Sequence, residues 1–122
     1  MRNILFAAAA ALLLAGPALA GDDVMANTYG NTVVSTGAAG ESRTHYKPDH
    51  TFDVTMVGAQ GTMNTKGTWS VADGKLCRVY DQLAPGMTNP ICTPAESHAV
   101  GDTWTVTING QIRTGTLKAG IQ

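Results

Sequence analysis

From Thr103 to Ile108 the chain alternates without a fault. Trp104, Val106 and Ile108 fall on one side, Thr103, Thr105 and Thr107 on the other, and Asn109-Gly110 follows at once. Period-two alternation marks a strand with one buried face. Asn-Gly suits a two-residue type I′ hairpin turn, because both turn positions need positive φ. After residue 20 no stretch repeats apolar residues at i, i+3 and i+4 over three turns, so strands and turns must supply the fold.

The same grammar runs through the rest of the chain. Asn31–Thr36 reads as a strand around Val33-Val34, and Gly37-Ala38-Ala39-Gly40 as a turn. Glu41–Lys47 is a second strand, ended by Pro48-Asp49-His50. Phe52, Val54 and Met56 alternate with Asp53 and Thr55, and Gly58–Gly61 turns the chain. Thr62–Val71 follows, with Gly67 as a candidate bulge. Asp73-Gly74 signals a hairpin, Lys75–Asp81 returns, and Leu83–Pro90 is a loop carrying two prolines. Ile91–Thr93 is a strand fragment, and Gln111–Lys118 is the last strand, its register interrupted at Gly115. Residues 21–30 read as a polar lead-in. The expectation is an all-β antiparallel meander of seven or eight short strands. It must close as a small barrel, a half-barrel or a sandwich to bury its apolar face. Trp69, Trp104, Phe52, Met56, Val106 and Ile108 are the expected core.

Residues 1–20 read differently. Arg2 supplies one positive charge, Ile4–Leu14 is an apolar run of 11 residues, and Ala18-Leu19-Ala20 follows Gly16 and Pro17. Those are the three parts of a secretory signal peptide. The run is too short to anchor in a bilayer, which takes about 20 residues. This predicts residues 21–122 as a single mature domain, periplasmic or fully secreted, with no integral membrane segment after cleavage and a monomeric state. Without Arg2 the chain keeps seven basic and nine acidic residues, a net charge of −2. That balance argues against nucleic acid as a partner. Cys77 and Cys92 are the only cysteines. In an oxidising compartment they are expected to pair, since their spacing fits neither a Cys-x-x-Cys redox motif nor a metal motif.

Catalytic signals are sparse. Ser35, Ser42, Ser70 and Ser97 lie in no Gly-x-Ser-x-Gly, and there is no His-Glu-x-x-His. Arg43, His45 and Lys47 share one strand face and read as a solvated basic stripe. Asp49 stands in a turn, where Asp bonds its own backbone. Met56, Met63, Met87 and His98 have ligand chemistry that suits copper. Their scattered spacing instead reads as core filler, and no cofactor is predicted. Trp69 and Trp104 are the candidate ligand-binding residues, because large aromatics on an inner face either fill a core or line a pocket.

Four stretches carry a resemblance: Tyr46-Lys47-Pro48-Asp49-His50-Thr51-Phe52, Gly67-Thr68-Trp69, Lys75-Leu76-Cys77 and Gly101-Asp102-Thr103-Trp104. Together they resemble uncharacterised small exported bacterial β-proteins, loosely lipocalin-like, although lipocalins carry Gly-x-Trp near the N-terminus rather than in mid-chain. The resemblance implies an exported β-meander and no particular activity. The functional expectation is a non-enzymatic binding or interaction module of the cell envelope. Its contact surface would be Leu83–Pro90 and its partner an envelope protein. The alternative is a lipocalin-like carrier of a small apolar ligand.

Overall fold

The computed structural model describes residues 21–122. The signal peptide read at residues 1–20 lies outside the described residues. Eight strands run in chain order: β1 (Thr32–Gly37), β2 (Gly40–Tyr46), β3 (Thr51–Gly58), β4 (Gly61–Ala72), β5 (Lys75–Tyr80), β6 (Ile91–Pro94), β7 (Thr103–Ile108) and β8 (Gln111–Lys118). They form one antiparallel sheet in the order β6-β5-β4-β3-β2-β1-β8-β7. Its two edge strands, β6 and β7, come into contact without a hydrogen-bonded ladder between them. The domain is therefore a nearly closed, barrel-like single sheet rather than a sandwich of two.

Turn chemistry sets this register. Asp73-Gly74 and Asn109-Gly110 both take positive φ, 53° and 76° in the first pair and 53° and 80° in the second. This is the type I′ geometry that matches the twist of the flanking strands. Gly37 pairs with Gly40 and Gly58 with Gly61, so two-residue turns also close β1–β2 and β3–β4. The β2–β3 turn is held by Asp49, whose carboxylate accepts from the Thr51 hydroxyl at 2.6 Å and the Thr51 N–H at 3.1 Å. Those bonds keep the carboxyl below its usual range.

Three expectations of local structure are corrected. Residues 22–28 form a 3-10 helix that buries Met25 and Thr28. Met25 and the partly buried Val24 anchor it to the core, and two adjacent apolar residues make no helical period. Nor is there a bulge at Gly67 or a break at Gly115. Gly67 pairs with Phe52 on one side and Tyr80 on the other, and Gly115 pairs with Ser35 and Trp104. Crowding explains both glycines. A Cβ at Gly67 would collide with the Val79 carbonyl and sit 2.9 Å from the Phe52 ring. A Cβ at Gly115 would sit 2.8 Å from the Trp104 indole. Gly67→Ala is expected to destabilise the domain by roughly 1–3 kcal/mol, an overpacking cost with backbone on one side of the clash. Urea denaturation measures this, and a variant as stable as the parent would refute the crowding account.

The packed core occupies one end of the barrel. Met25, Tyr46, Phe52, Val54, Trp69 and Leu76 bury together there. Phe52 is edge-on to Tyr80, with ring centroids 5.0 Å apart, and Trp69 is edge-on to Tyr46 at 6.4 Å. The Trp69 indole N–H donates to the Lys47 carbonyl at 3.0 Å. Its ring stacks on His50, which bonds Asp22 of the 3-10 helix at 2.6 Å. Thr32 is fully buried because the C-terminal tail crosses it: its hydroxyl donates to the Gly120 carbonyl and accepts from the Gln122 N–H. Of the expected core, Met56, Trp104, Val106 and Ile108 are only half-buried. They stand where the interior is open rather than filled.

Candidate functional site

Strand alternation and the up-and-down path put every second side chain into the barrel, and the core fills only one end. The remaining interior is a cavity of about 780 Å³. That lies within the roughly 300–1,000 Å³ range of small-molecule sites. The β1–β2, β3–β4 and β7–β8 turns and part of the 83–87 segment frame its mouth, and Met25 lies at its floor. The wall is mainly apolar: Val33, Met56, Met63, Ile91, Val106 and Ile108 all face it.

Two arginines on this wall are held by fixed partners. Arg78 on β5 donates from Nε to the Tyr46 hydroxyl at 2.7 Å, from Nη1 to the Ile91 carbonyl at 3.2 Å and from Nη2 to the Thr93 hydroxyl at 2.8 Å. Arg113 on β8 donates from Nε to the Ser35 hydroxyl at 2.8 Å, and from Nη2 to the Ser35 and Gly40 carbonyls at 3.0 and 3.1 Å. Tyr80 lines the cavity, and burial pushes its phenol above the ordinary value despite the pull of Arg78. It therefore remains an O–H donor at neutral pH.

Of the two candidate residues, Trp104 lines the cavity, whereas Trp69 is packed in the core and does not. Trp104 is stacked flat on His98, with centroids 3.5 Å apart and planes 4° from parallel. The segment between β6 and β7 thus places an imidazole beside the unpaired seam of the barrel. Burial lowers the His98 pKa, against the opposing pull of Glu96 and Asp102. Because the folded value lies below the unfolded one of about 6.5, the unfolded chain takes up the proton first. Stability from this group is full above the unfolded value and is lost as pH falls through the folded one. A modest loss of stability on acidification below pH ~6.5 is expected, and His98→Gln should remove that part of it. Urea midpoints across pH for both proteins make the comparison, and unchanged pH dependence in the variant would overturn the assignment.

The basic stripe of Arg43, His45 and Lys47 is not the fully solvated face expected: the His45 side chain is only 16% exposed, and its Nε2 is buried without a partner among the described residues. Arg43 pairs with Glu41 at 2.7 Å, and His45 and Lys47 share Asp53 at 2.7 and 3.2 Å. Burial alone would raise the Asp53 carboxyl, but bonds from His45 and Lys47 outweigh it and hold it low. Met56 and Met63 are cross-strand partners, and Met87 and His98 also reach the cavity. No group of three His, Cys, Asp or Glu side chains is placed to hold a metal among the described residues. Cys77 and Cys92 are joined as a cross-strand disulfide between β5 and β6. The 81–90 loop that follows β5 is tied back by Asn89, whose side chain bonds both the N–H and the carbonyl of Tyr80.

Arg78 and Arg113 belong to no motif, yet their phase was readable. Arg78 alternates with Leu76 and Tyr80 on β5, and Arg113 stands two residues from Gly115 and four from Leu117 on β8. An arginine in phase with apolar neighbours is an inward arginine. No known family pattern, curated protein or solved structure matches the chain. No helix among the described residues is long and apolar enough to cross a membrane.

Proposed function

We propose that the mature domain is an exported, non-enzymatic binding protein that encloses a small, largely apolar ligand inside its barrel. One observation carries this reading: a 102-residue chain leaves about 780 Å³ of its interior unfilled, behind a mainly apolar wall. Interiors normally pack to the density of organic crystals, and barrels of this size are commonly filled by their own side chains. An apolar interior kept open is surface that a ligand desolvates on entry. Trp104 stands in that wall as the reporter. The disulfide supports residence in an oxidising compartment, the periplasm or beyond.

The 83–90 segment belongs to the same reading. Its first residues frame the mouth, so a partner protein docking there would meet the ligand's entrance. Native mass spectrometry of the mature protein tests the proposal, together with tryptophan fluorescence across a panel of lipophiles. Added mass that leaves on denaturation, or a saturable shift in emission, is the expected result. A bare protein silent to the whole panel would overturn it.

A further inference from the structure

The cavity's charge is unbalanced. Arg78 and Arg113 both line it, and neither forms an ion pair among the described residues. Every acceptor that Arg78 meets is neutral: a phenol, a backbone carbonyl and a threonine hydroxyl. Glu41 and Glu96 are the acids along the lining. Glu41 is bound to Arg43, and the Glu96 side chain is 58% exposed beside His98. A guanidinium withdrawn from water without a counter-charge is costly, and hydrogen bonds to neutral groups offset only part of that cost.

The unspent donors define what would complete the site. A guanidinium carries five N–H groups, and Arg78 commits one from each nitrogen, leaving one N–H on each terminal nitrogen. That count matches the two oxygens of a carboxylate, the planar partner for which arginine is best shaped. The Tyr80 hydroxyl has no hydrogen-bond partner among the described residues, lines the same cavity and lies within the fields of both arginines. From this cluster the apolar wall of Met56, Ile91 and Val106 supplies room for a tail.

We infer that the barrel takes an amphiphile bearing one carboxylate on an apolar chain, its head group at Arg78 and Tyr80 and its tail along the apolar wall. This rests on the binding reading above and specifies its ligand class. Arg113, nearer the mouth, favours entry of an anion.

Three probes of equal chain length test it on the mature, disulfide-intact protein: dodecanoate, dodecanol and dodecyltrimethylammonium, each titrated at neutral pH by Trp104 fluorescence and calorimetry. Dodecanoate should bind at least tenfold more tightly than dodecanol, and the cation more weakly than either. Arg78→Gln should collapse the ratio of dodecanoate to dodecanol affinity towards one, whatever it does to apolar binding in general, while Arg78→Lys restores part of the preference. Equal affinity for acid and alcohol in the parent protein would overturn the carboxylate site and leave the apolar carrier standing. Binding of none of the three would overturn both. If Arg78→Gln fails to fold, as judged by circular dichroism, the probe series on the parent protein still decides.

Discussion

Phe52→Ala is expected to remove about 3–5 kcal/mol of stability, the usual range for deleting a buried aromatic ring. Phe52 is 1% exposed, and its ring lies against Tyr46 and Tyr80. Its ring tip also reaches over Gly67, 2.9 Å from where a Cβ there would stand. Removing the ring opens a void between β3, β4 and β5 that neighbouring strands cannot close, because their register is fixed on both sides. A domain of this size has only about 5–15 kcal/mol in total, so the variant should sit near its threshold. Chemical denaturation followed by near-ultraviolet circular dichroism gives the number. A cost under about 1 kcal/mol would mean that the packed end collapses around the loss.

Loss of the Cys77–Cys92 bridge is expected to cost about 3 kcal/mol, the chain-entropy value for a loop of this length. For a domain near 100 residues that corresponds to a fall in Tm of roughly 10–25 °C. The effect should be local first. β6 has four residues and pairs only with β5, so the disulfide is what holds it to the sheet edge. Arg78 reaches Ile91 and Thr93 on that strand. Reduction is therefore predicted to loosen the cavity wall as well as the loop above it. Thermal melts of oxidised and reduced protein, with amide exchange at residues 91–94, measure both effects. An unchanged Tm would show that β5–β6 pairing stands without the bridge. Two free thiols in protein purified without reductant from its native source would refute the pairing in vivo.

The strands and the hairpins between sequence neighbours were legible because they depend on local information. Alternation at 103–108 and the Asp-Gly and Asn-Gly pairs fix short antiparallel hairpins whatever the rest of the chain does. Two cysteines in a chain read as exported left one partner for each. Met25 was not legible: a short apolar step, Val24-Met25-Ala26, in a polar lead-in acquires meaning only when a barrel end is there to receive it.

The candidate site divides along the same line. Alternation put Trp69 and Trp104 on inner faces; Arg78 and Arg113 keep the same phase on β5 and β8, but no motif drew attention to them. Alternation could not say which inner face was filled. Sequence by itself determined an all-β meander, most of its turns and the apolar face of its clearest strands, because backbone sterics and period-two alternation act over a few residues. Only the tertiary structure decided that β6 and β7 meet without pairing, that the core fills one end, and that Arg78 finds no acid. Those outcomes depend on distances between strands far apart in the chain, which closure of the sheet alone sets.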